Sequence, residues 1–351
     1  MDLSVIFLGT GGSVPSARRS TASVLIARGG DRLMFDCGEG TQRQLQRSIG
    51  LAQVDEIFLT HFHADHTLGL PGLLKTYDLN GREEPLTIYG PQGLRDLFAT
   101  LHRIVGRVGF DLRLVELEPE DAVAHEGYEV RAFPVEHRVR ACGYALVEEG
   151  RPGRFDPEEA ARLGVPEGPA FAALQRGEEV EGASGAVRPD DVMGESRAGR
   201  TVAISGDTAP CQATVEAAAG AELLIHEASF AEEEAQRAAE TAHSTVGQAA
   251  AVAREAEVKM LALVHISSRY HVGALLEEAR QVFKPSVAPR DFDLIEIPLP
   301  ERGEPTLVPN GARERRENDA QDRREGDASE RRGDGAPSTA SDGAQERREE
   351  C

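Results

Sequence analysis

The chain has 351 residues, of which 40% are hydrophobic and 28% charged, and its 39 basic and 60 acidic side chains give a formal charge of -21. This length is enough for one large domain with additions. No apolar run approaches the ~18 residues of a membrane span, and the N-terminus MDLSVIFLGTGG lacks the basic start of a secretory signal. The cysteines are scattered without CxxC spacing, which argues against a disulfide framework and predicts a cytoplasmic protein.

The charge does not exclude RNA as a partner. Only three of the basic residues are lysines, and an acid-rich, lysine-poor composition is typical of proteins adapted to high internal salt. At molar salt the Debye length is about 3 Å, so repulsion between the protein and nucleic acid phosphates is screened. The absence of tryptophan and the 5% aromatic content argue instead against an aromatic base-stacking platform.

Short apolar runs alternate with helical patterns, which predicts a layered α/β domain. Strands are predicted at Ser4–Leu8, Ser23–Ala27, Arg32–Phe35, Glu56–Thr60, Thr87–Tyr89, Val130–Val135, Thr201–Ser205, Glu222–Ile225 and Met260–Val264. Helices are predicted at Gln92–Ile104, Ala213–Ala219, Ser244–Ala256 and Val272–Val282. Ser244 is the expected N-cap of the third helix.

Two segments differ from this main body, which spans residues 1–300. Residues 150–195 are rich in Gly, Pro, Glu and Arg, and contain two short capped helices, Asp156–Gly164 and Pro169–Gly177. From the pattern alone this excursion is either a functional arm or a surface insertion without a role. Residues 301–351 form a charged tail with too little apolar surface to offset its ordering entropy, so we expect disorder. An RNA-binding tail is the alternative.

A cluster of metal-ligating residue types follows the predicted strand Glu56–Thr60. The hexapeptide HFHADH places His61, His63, Asp65 and His66 on a loop directly after an apolar strand. A purely structural role would require each of these polar groups to be solvated or paired. Imidazole nitrogens and carboxylate oxygens are ligands that suit Zn²⁺.

The same placement recurs at three later strands. His137, Asp207 and His265 each come just past the carboxyl end of an apolar run. Strand ends at one edge of an open α/β sheet converge on one crevice, so we expect all seven groups to meet there. A tetrahedral zinc takes about four ligands. Seven ligands with one shared carboxylate therefore predict two Zn²⁺ ions per subunit.

This order of ligands resembles that of the metallo-β-lactamase superfamily over roughly residues 1–298. The resemblance implies an α/β fold, an αββα sandwich with two mixed sheets packed face to face, and a dinuclear zinc site at one edge. It assigns His61, His63 and His137 to the first zinc, Asp65, His66 and His265 to the second, and Asp207 to a bridging position.

Further motifs resemble one family within that superfamily, ribonuclease Z. The matching segments are Phe7–Ser20 (FLGTGGSVPSARRS), Phe35–Gln44 (FDCGEGTQRQ), His226–Ser229 (HEAS, for HEAT), His243–Thr245 (HST) and Ser267–Tyr270 (SSRY, for SxRY). The excursion at 150–195, with its Gly168-Pro169 pair, stands where this family carries a flexible tRNA-binding arm.

The resemblance implies an endoribonuclease that removes the 3′ trailer from tRNA precursors, leaving a tRNA 3′-hydroxyl and a trailer 5′-phosphate. Asp65 would orient or deprotonate the attacking water, and His243, oriented by Glu227, would protonate the leaving oxygen. Arg269 would contact a phosphate, and Gly168 and Pro169 would contact tRNA. The family also implies a homodimer in which one subunit's arm serves the other's site.

Each of these roles has a simpler alternative. Asp65 could be a metal ligand only, His243 could cap the following helix, and Arg269 could form a surface salt bridge. At the level of function, the alternative is a hydrolase of small esters, thioesters or cyclic phosphodiesters on the same fold. A non-catalytic RNA-binding protein is a third possibility, which the complete ligand set argues against.

Overall fold

A computed structural model describes residues 2–51 and 54–310. The strands are β1 Leu3–Gly9, β2 Ser23–Arg28, β3 Asp31–Phe35, β4 Glu56–Phe58, β5 Leu86–Pro91, β6 Leu112–Leu117, β7 Ala122–His125, β8 Tyr128–Pro134, β9 Cys142–Glu148, β10 Val180–Gly182, β11 Gly185–Val187, β12 Thr201–Ile204, β13 Leu223–Glu227, β14 Met260–Val264, β15 Ser286–Val287, β16 Leu294–Glu296 and β17 Thr306–Val308.

The helices of the described residues are mostly short. They are α1 Thr41–Ser48, α2 Ala64–Thr67, α3 Gly69–Leu79, α4 Leu94–Val105, α5 Pro157–Arg162, α6 Pro169–Gln175, α7 Pro189–Val192, α8 Gln212–Ala217, α9 Ala235–Thr241, α10 Val246–Glu255 and α11 Val272–Val282, with 3-10 turns at Glu232–Glu234 and Pro300–Arg302. None of the helices within residues 2–51 and 54–310 has the length and apolar character needed to cross a membrane.

The strands form two large mixed sheets. One has eight strands in the order β17-β16-β1-β2-β3-β4-β5-β6, and the other has seven in the order β15-β14-β13-β12-β9-β8-β7. Strands β3 to β6 are parallel in the first sheet, and β12 to β15 are parallel in the second. Their carboxyl ends therefore lie at one edge of each sheet, as the sequence predicted.

The hydrophobic core has three layers, because both faces of each sheet are buried. Between the sheets, Phe58 stacks on Phe35 and Tyr89 with ring centroids 5.2 and 4.6 Å away, and Tyr144 meets it edge-on. Helices α1, α3 and α4 cover the outer face of the first sheet, and α8, α10 and α11 cover that of the second. The predicted αββα sandwich is confirmed.

The segment between β9 and β12 forms an arm with its own small core. Helices α5 to α7 and the β10–β11 hairpin enclose a cluster that includes Ala160, Leu174 and Val192. Both predicted helices are present, and Asp156 caps the first by accepting a hydrogen bond from Glu159 N at 2.9 Å. The neck of the arm is narrow, because Asp156 N donates to Val192 O at 2.7 Å.

Two sequence expectations need correction. Thr245, not Ser244, caps α10: its hydroxyl accepts from Gln248 N at 3.1 Å, whereas the Ser244 hydroxyl donates to Thr208 O at 2.7 Å. The start of the predicted tail, residues 301–310, is part of the described fold. Glu301 receives two 2.8 Å hydrogen bonds from Arg151 at the arm's neck, and β17 then follows. The remainder of the predicted tail, residues 311–351, lies outside the described residues.

Several elements gave no clear sequence signal. Strand β9 (CGYALVE) is apolar along most of its length and is buried on both faces, so it shows no alternation. Helix α3 (GLPGLLKTYDL) begins with glycine and proline, which usually indicate a turn. Tertiary packing, not local propensity, determines both elements.

Candidate metal centre

The site lies at the edge where the carboxyl ends of the parallel strands meet. His61 follows β4, while His137, Asp207 and His265 follow β8, β12 and β14 of the opposite sheet. The segments after β8 and β12 are joined by a backbone hydrogen bond from Ala209 N to Glu136 O at 2.8 Å. Each sheet therefore contributes part of one cluster.

His61, His63, His137 and Asp207 form the first group, in which one ligand atom from each residue lies within 4.8 Å of the others. His63 Nδ1 is 2.9 Å from His61 Nε2 and 3.4 Å from His137 Nε2. Asp207 Oδ2 lies 3.7 Å from His61 Nε2. These are the residues that the resemblance assigned to the first zinc and to the bridge.

Asp65, His66 and His265 form the second group under the same limit. Asp65 Oδ2 is 3.1 Å from His265 Nε2 and 3.6 Å from His66 Nε2. Asp207 lies beside this group as well, with Oδ1 3.5 Å from His66 Nε2 and Oδ2 3.4 Å from His265 Nε2. The structure thus brings all seven predicted ligands together, with Asp207 between the two groups.

The histidine rings are held by contacts at their second nitrogen. The Nδ1 contacts are His66 to Asp36 Oδ2 at 2.8 Å, His265 to Ser229 Oγ at 2.8 Å, His61 to Thr60 Oγ1 at 3.0 Å and His137 to Ala242 O at 3.0 Å. Such partners orient a ring and leave Nε2 free for a ligand. Asp36 and Ser229 lie in the segments Phe35–Gln44 and His226–Ser229, but the sequence predicted no individual role for either residue. Asp36 directly follows β3, which is the same signal that identified the ligands.

Two glycines allow backbone to approach the cluster closely. A Cβ at Gly12 would lie 2.5 Å from His265 Nδ1, and a Cβ at Gly38 would lie 2.5 Å from Asp65 O. Any larger residue would displace these ligands or the loops that carry them. Close packing against the site therefore explains the glycines at these two positions.

The donor set fits a metal ion. His66 Nε2 and Asp207 Oδ1 are buried and have no hydrogen-bond partner among the described residues, although leaving such atoms unpaired is costly. They point toward one another across 3.5 Å. Imidazole nitrogen and carboxylate oxygen together are ligands of Zn²⁺ and of related divalent ions.

The electrostatics of the cluster favour ligand-competent groups. Burial, together with the charge on His66, holds the pKa of His61 well below its usual value, so this imidazole is neutral. Burial alone would raise the pKa of Asp207, but His265 and His66 outweigh it and keep the carboxyl pKa well below its usual range. Burial would lower the pKa of His66, but the carboxylates of Asp207 and Asp36 raise it well above its usual value. A cation bound here would displace a proton from His66.

His243 and Glu227 form the pair that the sequence predicted. Glu227 Oε1 lies 2.7 Å from His243 Nδ1, and Glu227 also accepts from Thr208 N at 3.1 Å and from Ser229 Oγ at 2.8 Å. Burial would lower the pKa of His243, but the Glu227 carboxylate raises it. The alternative in which His243 caps α10 is wrong, because Thr245 occupies that position.

The predicted substrate-binding residues lie in two places. Arg269 lines a cleft together with His243 and His265. Gly168 and Pro169 are at the start of α6 in the arm, where Gly168 has a φ of 106°. The arm has a hydrophobic cluster of its own. Gly168 and Pro169 therefore do not belong to the group of candidate metal ligands.

Comparisons with known proteins agree with this geometry. The family model of the metallo-beta-lactamase superfamily matches residues 17–210. Ribonuclease Z of Methanosarcina acetivorans is 48% identical over 301 residues, which is 84% of this chain and 98% of that protein. Ribonuclease Z of Haloferax volcanii is 48% identical over 304 residues, covering 85% of this chain and 96% of that protein.

The chain belongs to the ribonuclease Z family of the metallo-β-lactamase superfamily. Among solved structures, the short form of human tRNase Z is similar, with a TM-score of 0.61 at 29% identity over 85% of this chain and 99% of that one. The metallo-beta-lactamase fold protein YhfI from Bacillus subtilis has a TM-score of 0.63 at 19% identity, over 85% of this chain and 100% of that chain, which shows the fold alone. Ribonuclease Z family membership makes this chain a metal-dependent hydrolase.

Proposed function

We propose that this protein is a zinc-dependent endoribonuclease that removes the 3′ trailer from tRNA precursors, leaving a tRNA 3′-hydroxyl and a trailer 5′-phosphate. The observation that carries the proposal is the complete cluster of seven ligand groups with the His243–Glu227 pair beside it. Near full-length identity to proteins named ribonuclease Z supports the choice of substrate.

Two Zn²⁺ ions per subunit are proposed for the cluster. His61, His63 and His137 would hold the first, Asp65, His66 and His265 the second, and Asp207 would be shared. When bound, such ions supply a hydroxide nucleophile near neutral pH and neutralise charge on the scissile phosphate. The unpaired buried atoms of His66 and Asp207 support this assignment.

Asp65 is proposed to orient or deprotonate the attacking water. Its Oδ2 already accepts a hydrogen bond from Ser13 N at 2.7 Å and lies 3.1 Å from His265 Nε2, so the carboxylate is fixed in place. Burial would raise its pKa, but the His265 contact and the charge of His66 lower it below the usual range. The group is thus ionised and able to accept a hydrogen bond at neutral pH.

His243 is proposed as the general acid that protonates the leaving 3′-oxygen. Glu227 binds Nδ1 of the ring, which leaves Nε2 available to the substrate. The carboxylate raises the pKa of His243, which favours the protonated ring that a general acid requires. Proton transfer by a positioned side chain typically contributes about 10²- to 10⁴-fold in rate.

The remaining contacts with substrate are proposed from the family. The arm, with Gly168 and Pro169, would bind the body of the tRNA, and Arg269 would contact a phosphate near the scissile bond. We propose a homodimer in which each arm serves the partner's site, and a cytoplasmic location. Arg269 is exposed beside His265, which supports its part in this assignment.

Cleavage of a tRNA precursor with a 3′ trailer in molar KCl tests the proposal, with and without chelator and beside an Asp65→Ala variant. We expect a chelator-sensitive cut just after the discriminator base that the variant does not make. A protein that binds about two zinc ions per chain but leaves the precursor intact would contradict the proposal. That result would favour a hydrolase of small esters, thioesters or cyclic phosphodiesters.

A further inference from the structure

A cleft of about 340 Å³ opens directly beside the cluster of candidate metal ligands. His243 and His265 line it, together with Phe230, Arg237 and Arg269. Ser13, whose N–H binds Asp65, also lines it. The cleft is therefore continuous with the groups proposed to carry out the reaction.

Two guanidinium groups beside this cleft contact the same aromatic ring and the same carboxylate. Arg237 and Arg269 lie 5.9 and 5.6 Å from the centroid of the buried Phe230 ring. Both also reach Glu234 Oε1, at 3.4 and 3.6 Å. Both guanidinium groups are therefore held by the same two residues, in a segment that also contains Glu232 and Glu233.

This arrangement holds the guanidinium groups in place and leaves both side chains partly exposed to solvent. The Arg237 and Arg269 side chains are 57% and 43% exposed, and ion pairs at such exposure contribute little to stability. Contact with the Phe230 ring positions the guanidinium groups. Arg269 also donates from Nε to Ser267 Oγ at 3.2 Å and from Nη2 to Tyr270 Oη at 3.4 Å. Both arginines line the cleft. Guanidinium forks bind phosphate oxygens through paired hydrogen bonds.

We propose that Arg237, together with Arg269, binds an internucleotide phosphate on the tRNA side of the scissile bond. The inference rests on the proposed function. His243, the proposed acid, donates its proton to the 3′-oxygen, which stays with the tRNA product. Because His243 lines this cleft, the nucleotide that carries that oxygen enters here, and its own 5′-phosphate meets the two arginines. The phosphate displaces the Glu234 carboxylate.

The test compares Arg237→Gln with Arg113→Gln, a control that removes the same charge at similar exposure. Arg113 is 59% exposed and pairs with Asp111 near the start of β6, at the end of that strand opposite the catalytic edge. Each variant is assayed on a tRNA precursor and on bis(p-nitrophenyl) phosphate, a small diester with no neighbouring phosphate.

We expect Arg237→Gln to raise KM for the precursor about tenfold, with kcat within about twofold and with unchanged turnover of the small diester. The slope of log(kcat/KM) against log(salt) should decrease in magnitude by roughly 0.7–0.9, as for one lost phosphate contact. Glu234→Gln removes the competing carboxylate and should lower KM for the precursor severalfold, which a merely structural role of the pair would not do.

Three results would overturn the inference. Arg237→Gln could match Arg113→Gln on the precursor, it could impair both substrates equally, or Glu234→Gln could raise KM for the precursor. In each case the wild-type protein still cleaves the precursor, so the proposed function stands. A wild-type protein that turns over the small diester but not the precursor would instead overturn the proposed function, and this inference with it.

Discussion

The buried carboxylate of Glu227 connects His243, through Ser229, to the candidate metal ligand His265. Its Oε1 lies 2.7 Å from His243 Nδ1, and its Oε2 accepts a 2.8 Å hydrogen bond from Ser229 Oγ, which lies 2.8 Å from His265 Nδ1. The position of the proposed acid and the orientation of one proposed ligand therefore depend on the same side chain.

Replacement of Glu227 by Gln should shift the alkaline side of the kcat–pH profile to lower pH. Burial lowers the pKa of His243, and the Glu227 carboxylate more than compensates. Since the protonated ring is the proposed acid, activity falls as pH rises through this pKa, and without the carboxylate the fall begins earlier. We expect kcat at pH 8 to decrease by about 10- to 100-fold.

Cleavage of a tRNA precursor between pH 6 and pH 9 measures this shift. His243→Ala is the control, because it removes the acid and should remove its titration from the profile. An alkaline limb at the same pH in Glu227→Gln and in the wild-type protein would show that Glu227 does not tune His243.

Replacement of Asp207 by Asn should remove more metal than replacement of Asp65 by Asn. Asp207 lies beside both groups, within 3.7 Å of His61 Nε2 and 3.5 Å of His66 Nε2, whereas Asp65 belongs only to the second group. We expect less than one zinc per chain in Asp207→Asn and about one in Asp65→Asn. Elemental analysis after gel filtration measures both, and equal loss in the two variants would argue against a shared position for Asp207.

Deletion of residues 156–192 with a short Gly-Ser replacement should leave the fold and the metal centre intact. The neck residues are adjacent, because Asp156 N donates to Val192 O, and the arm has its own core. We expect turnover of bis(p-nitrophenyl) phosphate within about threefold of wild type and loss of precursor cleavage. Full precursor cleavage by the deletion variant would show that the arm does not contribute to substrate binding.

Replacement of Glu56 by Gln should stabilise the protein at alkaline pH. Burial raises the pKa of Glu56 to about 7, and the side chain is 16% exposed beside His125. A folded pKa above the unfolded value of about 4.3 contributes stability that is present below that value and is lost as pH rises through about 7. The difference in the free energy of unfolding between Glu56→Gln and wild type should therefore shift in favour of the variant by about 2 kcal/mol from pH 5 to pH 8.5.

Urea unfolding of both proteins at the two pH values tests this expectation. Glu129→Gln, at a partly exposed position paired with Arg131, is the control for the loss of one negative charge. A difference between Glu56→Gln and wild type that does not change with pH would show that Glu56 is ionised in the folded protein throughout.

The convergence of the candidate ligand groups could be predicted from sequence because each group lies in a segment that follows a strand. His61, Asp207 and His265 all obey this rule, and parallel strands carry such positions to one edge. The two arm helices were predictable from their Asp-Pro and Gly-Pro starts. Asp36 obeys the same rule as the candidate ligands and lies in the segment Phe35–Gln44, but its contact with His66 Nδ1 joins residues 30 positions apart and leaves no local pattern.

Other features depend on contacts that no local pattern records. Ser229 reaches His265 across 36 residues of sequence, and only the packing of two loops makes that contact. Arg237 and Phe230 carry no motif of their own, since their contact joins α9 to the loop after β13. Strand β9 was missed because burial on both faces removes the alternation that identifies a strand.

The division of the metal centre between the two sheets has a consequence for how the protein matures. The loop after β4 supplies His61 and Asp65, and the opposite sheet supplies Asp207 and His265, with Asp65 and His265 200 residues apart in sequence. Neither half of the chain holds a complete set of ligands. The affinity for a bound ion would therefore include the free energy of bringing the two halves together, so metal binding would be coupled to folding.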